Sequence, residues 1–163
     1  MKKTLAFVLV CLLHVAAMAQ TYGDWVVTRQ PAGLQIAKTS ISAAVIGIVC
    51  VIQDDVCHAY IGTNSTCDED QKVPMLINSS VGSIMVNTTC TKLGGSLYNI
   101  IAEFDSAVSA FESGGLVGFA IPLASGEFRV LRFSTRGATA AIRDARTRPT
   151  RNRDGPSKSD VRL

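Results

Sequence analysis

The sequence is short of the residues most enzymes work with. Histidine occurs twice, at His14 and His58, and tryptophan once, at Trp25. His14 falls inside an apolar leader, which leaves His58 as the sole imidazole of the body of the chain. Serine-based acyl transfer needs a base beside the hydroxyl, and no Gly-x-Ser-x-Gly elbow is present. Paired Cys-x-x-Cys knuckles are missing too, which argues against a structural zinc site. The leading apolar run, Thr4 to Val15, is about a dozen residues long, against the roughly 20 that a membrane helix needs. No internal repeat is present, so a solenoid or propeller is excluded.

What is there begins with an export signal. Met1-Lys2-Lys3 is a basic start, the apolar run follows, and Ala17-Met18-Ala19 gives the small-x-small spacing that a signal peptidase reads. Cleavage is expected after Ala19, with Gln20 opening the mature chain. Cys11 sits in mid-run behind Val10, which is not the arrangement of a lipoprotein. The short Lys-Lys start and the Ala-Met-Ala ending have a bacterial form, so the expected location is periplasmic or secreted. No transmembrane segment is expected in the mature chain.

Removing residues 1–19 leaves four of the five cysteines: Cys50, Cys57, Cys67 and Cys90. An even number in a small exported domain reads as a disulfide framework. Four thiols allow three pairings. Val45 to Val51 and Val56 to Ile61 look like strands joined by the turn Ile52-Gln53-Asp54-Asp55. A four-residue loop sets Cys50 opposite Cys57 at a non-hydrogen-bonded pair, where side chains approach closely. The favoured scheme is therefore Cys50–Cys57 with Cys67–Cys90. On the chain-entropy model these bridges contribute roughly 2–3 and 3–4 kcal/mol.

The formal charge of +3 is uneven along the chain. Residues 20–142 carry seven Lys/Arg and ten Asp/Glu, whereas residues 143–163 carry seven basic and three acidic groups. The basic character belongs to the ends. From Thr147 onward Arg, Pro, Asn, Asp, Gly, Ser and Lys dominate, and such a stretch buries too little to offset its ordering entropy. The division is thus a signal over 1–19, a β-rich domain over 20–142 and a basic, disordered tail over 143–163. The tail suits contact with an anionic surface. It lacks the aromatic residues that stack on bases, and nucleic acid is not an expected partner.

The body reads as many short strands. Asp24 to Thr28 is entered through Gly23, Leu34 to Thr39 alternates apolar and polar, and Val45 to Val51 is apolar on both faces and belongs centrally. Val73 to Ile77 follows, with Pro74 confining it to an edge or to the strand's beginning. Then come Ser83 to Cys90 and Leu97 to Phe104. Asp105 is expected to cap a helix over Ser106 to Ser113, stopped by Gly114-Gly115. Leu116 to Leu123 and Glu127 to Ser134 form a hairpin, and Ala138 to Ile142 starts a final helix running toward Arg146. The expected fold is mainly β, a sandwich or partly open barrel with one or two short helices, stabilised by disulfides.

Each chemical candidate has a plainer reading. His58 beside Cys57, with Asp54 and Asp55, resembles a metal or thiol cluster, but a bridged cysteine has no thiolate. Glu103, Asp105, Glu112 and Glu127 offer carboxylates for glycoside cleavage, yet no spacing singles out two. Asp68-Glu69-Asp70 lacks the alternation and glycine of an EF-hand loop. Asn64, Asn78 and Asn87 each begin a glycosylation sequon, which a bacterial exporter leaves unused. Apolar residues of the 116–133 hairpin, with Trp25 and Tyr98, are core candidates, and an exposed subset would make a partner surface or a lipid cavity. No catalytic, metal or cofactor site is expected.

Four features together resemble the invasion-associated locus B family of exported bacterial proteins. They are Gly23-Asp24-Trp25 at an entry strand, Cys90 at the end of a middle strand, the short helix from Asp105 to Gly114, and Ser134-Thr135-Arg136-Gly137-Ala138-Thr139-Ala140-Ala141 after a closing hairpin. The resemblance is carried mainly by residues 90–142. It departs where Arg29 and Gln30 replace a cysteine after the tryptophan strand, and where Ser96 replaces a cysteine after Gly95, so the family's disulfide scheme does not carry over. The spacing Cys67…Pro74…Asn78-Ser79…Gly82…Cys90 also resembles a group of uncharacterised exported bacterial proteins. The resemblance implies a periplasmic or secreted β-sandwich without enzymatic activity. The expected function is a non-enzymatic module that binds an envelope or host protein or glycan. A small-ligand or lipid carrier and a hydrolase are the alternatives.

Overall fold

The computed structural model describes residues 18–147 except 32, 43, 65, 66, 94 and 124. The signal expected over 1–19 and the tail expected over 143–163 therefore lie mostly outside the described residues.

Ten strands build one antiparallel sheet. In chain order they are β1 Met18–Tyr22, β2 Trp25–Arg29, β3 Leu34–Ile41, β4 Ala44–Val51, β5 Val56–Thr63, β6 Lys72–Ser79, β7 Gly82–Leu93, β8 Ser96–Ile101, β9 Leu116–Pro122 and β10 Phe128–Ser134. Their spatial order is β1-β2-β3-β4-β5-β8-β7-β6-β9-β10. The sheet coils but does not close into a barrel, because its terminal strands β1 and β10 are not paired. β7, the longest strand, bridges the two halves of the sheet. Its Gly82–Thr89 stretch pairs with β6, and from Thr88 to Leu93 it pairs with β8.

Local sequence accounts for most elements. β4 is apolar on both faces and is flanked by β3 and β5, so its central placement holds. β6 is also interior, between β7 and β9. Pro74 is tolerated there because the β9 ladder covers only Leu76–Asn78, so the missing N–H falls ahead of it. Pro122 faces Phe128 at the end of β9, where the register likewise asks for no donor.

Two short helices lie against the sheet: α1 Phe104–Phe111 and α2 Ala138–Arg146. α1 starts two residues earlier than expected, and Asp105 lies in its first turn rather than at the cap; the cap position is Glu103, which makes no side-chain cap bond. α2 continues past Ile142. Ala145 is fully buried, Asp144 pairs with Arg29, and the Gln35 side-chain amide donates to the Thr147 carbonyl at 3.2 Å. α2 thus reaches Arg146, the residue toward which the final helix is expected to run. Arg29, at the end of β2, forms an ion pair with Asp144 of α2.

The concave side of the sheet is packed with side chains. Trp25, Phe111, Phe119 and Phe133 are fully buried and meet in sequence, with ring centroids 5.8, 6.3 and 6.1 Å apart. Each buried phenylalanine contributes about 1.5–3 kcal/mol of transfer free energy. Two disulfides brace the shell. Cys50–Cys57 crosses the β4–β5 hairpin at directly opposed positions with Cα atoms 4.0 Å apart, and Cys67–Cys90 ties the loop before β6 to β7.

Candidate functional site

The chemical candidates do not assemble. His58 is exposed on β5 opposite Val49, and its neighbour Cys57 is bridged, so no thiolate is available. Asp54 and Asp55 are exposed in the turn, where Asp55 adopts a left-handed φ of 56°. Asp68, Glu69 and Asp70 are exposed in the loop held by Cys67. No group of three or more potential metal ligands occurs among the described residues. Glu103 is engaged within the fold, accepting the Asn87 backbone N–H at 2.9 Å and the Asn87 side-chain amide at 3.0 Å. These bonds, the backbone one foremost, hold its carboxyl below the usual range. They also occupy Asn87, whose backbone carbonyl accepts from Ala102.

The two stretches that carry the family resemblance do come together. Gly23-Asp24-Trp25 turns β1 into β2, and Ser134 to Gly137 turns β10 into α2. The Trp25 indole N–H donates to the Ser134 carbonyl at 2.9 Å, and the Asp24 N–H donates to the Arg136 carbonyl at 2.9 Å. Asp24 in turn accepts from the Ser134 hydroxyl at 2.6 Å and from the Arg136 guanidinium at 2.6 and 3.2 Å. The guanidinium first, then the hydroxyl, hold the Asp24 carboxyl below its ordinary value. Gly137 is required by contact: a Cβ there would lie 1.9 Å from the Tyr22 carbonyl oxygen, at a φ of 91°. Every group in this clasp is engaged with another part of it. It joins the two ends of the open sheet and leaves nothing aimed at a ligand.

The unabsorbed surface lies on the convex side. The register aligns Met85, Leu76, Ala120 and Val130 in one row across β7, β6, β9 and β10. Leu116 and Phe128 share that face by the alternation of β9 and β10. Exposure is 61% at Met85, 58% at Leu116, 65% at Phe128 and 50% at Val130, high for large apolar side chains, which are spread over one face. On this face a groove of about 310 Å³ is bordered by Leu76, Leu116, Val130 and Arg132 together with Asn78 and Ser79; Met85 and Phe128 lie outside it. The hairpin is recognisable as apolar in the sequence, but which of its faces lies outside is not. β10 carries apolar residues on both faces, and only the folded chain separates Leu131 and Phe133, buried, from Phe128 and Val130, exposed.

The fold and surface define a disulfide-braced, open antiparallel β-sheet domain. Its architecture is similar to that of invasion associated protein B from Bartonella henselae, a crystal structure that matches with a TM-score of 0.59 at 14% identity, over 79% of this chain and 96% of that one. At that identity the likeness is one of fold. No family model matches the sequence, and no curated protein matches it.

Proposed function

We propose that this chain is a non-enzymatic exported module that binds a partner protein or glycan through the convex apolar face of β7, β6, β9 and β10. The observation that carries the reading is that Met85, Leu116, Phe128 and Val130, each at least half exposed, share one face of the sheet. Apolar patches of that kind are costly to leave in water and mark interaction surfaces. Export is supported by two disulfides, which persist in oxidising compartments, and by the signal-like N-terminus. No helix among the described residues is long and apolar enough to cross a membrane. The motif resemblance and the fold likeness together support reading the chain as a distant relative of the invasion-associated locus B proteins.

Carriage of a lipid or small ligand fits less well, because the concave interior is filled by Trp25, Phe111, Phe119 and Phe133. The test is affinity capture from envelope extracts and culture fluid with the oxidised chain and with a Phe128→Ser/Val130→Ser variant. A species retained by the native surface and lost with the variant supports the proposal. Equal recovery by both proteins rejects this face.

A further inference from the structure

The body of the chain offers an oxidant few sulfurs. Cys50, Cys57, Cys67 and Cys90 are all bridged, so none of them presents a thiolate. That leaves two thioethers in the middle of the sheet, Met75 on β6 and Met85 on β7. They stand on adjacent strands but on opposite faces. Met75 opposes Val86 and belongs to the core, at 2% exposure, whereas Met85 opposes Leu76 and is 61% exposed. Successive residues of a strand point to opposite faces, so the pleat alone separates the two. The row that starts at Met85 continues through Leu76 and Ala120 to Val130 on the convex face.

A peroxide in solution reaches the Met85 sulfur directly. The sulfur lone pair attacks one peroxide oxygen, and the O–O bond breaks as the S–O bond forms. The second oxygen leaves as hydroxide and takes the proton of the transferred hydroxyl, giving water. Sulfur is oxidised by two electrons and the peroxide is reduced by the same two. The product is a sulfoxide, a polar acceptor where an apolar side chain stood, and reductases return it to the thioether. At Met85 the new oxygen faces solvent and no core contact is lost, so the fold is kept and the surface alone changes. At Met75 the same oxygen would lie unpartnered in a packed interior, which is costly.

We infer that Met85 is a reversible oxidation site: a peroxide converts its thioether to the sulfoxide and so weakens the hold of the convex face on apolar surfaces. The inference rests on the interaction-module reading and specifies how that face is regulated. Soft, adaptable methionine side chains suit binding surfaces, and oxidation spoils them.

The test treats the disulfide-bonded chain with hydrogen peroxide and maps oxygen addition by peptide mass. Addition is expected at least about ten-fold faster at Met85 than at Met75 in the folded chain, and at similar rates in urea, where burial no longer protects Met75. Retention on a phenyl matrix, the probe of the apolar face, should fall with oxidation while the thermal midpoint stays. Methionine sulfoxide reductase should restore it. Met85→Leu keeps an apolar side chain without the sulfur, so its retention should withstand peroxide. Equal rates at the two methionines in the folded chain, retention unchanged by oxidation at Met85, or the same peroxide loss in Met85→Leu overturns the switch. The convex-face reading is judged separately by the capture experiment. A species captured through that face equally well by the native and sulfoxide forms leaves that reading standing and overturns this one.

Discussion

The indole N–H of Trp25 donates to the main-chain carbonyl of Ser134, 109 residues away, at 2.9 Å. That bond and its neighbours replace the strand-to-strand ladder that a closed barrel would have at this seam. The side chain does two jobs there. Its ring belongs to the aromatic core, and its nitrogen satisfies a carbonyl that the edge of β10 would otherwise leave unpaired.

Trp25→Phe is therefore expected to destabilise the domain by about 1–3 kcal/mol, the range for leaving a part-buried partner unsatisfied. Urea unfolding followed by far-ultraviolet circular dichroism measures it. An unchanged midpoint would mean the seam bond carries nothing.

Gly137 and Gly82 form a controlled pair. Both have a positive φ, 91° and 129°, but only at Gly137 would a Cβ meet backbone, at 1.9 Å from the Tyr22 oxygen, whereas at Gly82 nothing lies within 4 Å. Gly82→Ala should cost about 1–2 kcal/mol for its backbone conformation alone. Gly137→Ala should cost more than that, or fail to give folded protein. Equal midpoints for the two variants would contradict the close approach.

Acid sensitivity should centre on Asp24 and Glu103. Both carboxyls are held below their ordinary values, Asp24 first by the Arg136 guanidinium and Glu103 first by the Asn87 backbone N–H. A depressed folded-state pKa adds stability above the unfolded value and loses it as pH falls through the folded one. Unfolding midpoints should accordingly fall below the ordinary carboxylate range, and Asp24→Asn/Glu103→Gln should flatten that limb while lowering stability at neutral pH. Carboxyl carbon titrations by NMR locate the two groups directly; midpoints at or above ordinary values would refute the assignment.

The bridges differ in what they constrain. Cys67–Cys90 spans 23 residues and Cys50–Cys57 spans 7. On the chain-entropy model their removal costs about 3.5 and about 2.5 kcal/mol. Paired Cys→Ala variants should rank in that order, and the oxidised chain should weigh four protons less than the reduced one. The reverse ranking would show that loop closure does not set the order.

Strand positions are legible in the sequence because alternation and glycine punctuation are local. β4 can be placed centrally from its two apolar faces, and Cys50 opposite Cys57 follows from one turn length. β1 is hidden, since Met18 and Ala19 also complete the signal pattern. Sheet order is not legible: nothing near Leu97 announces that β8 enters between β5 and β7, or that β9 returns to β6. The Asp24–Arg136 clasp lies beyond local reading for the same reason, its partners standing 112 positions apart.

The most direct measurement is site-specific photocrosslinking in the producing cell. A benzophenone side chain at position 130 is compared with one at position 38, an exposed site on the convex face of β3. Discrete adducts from position 130, with none from position 38, are the expected result. Adducts equal from both sites, or absent from both, would contradict a binding face at β10.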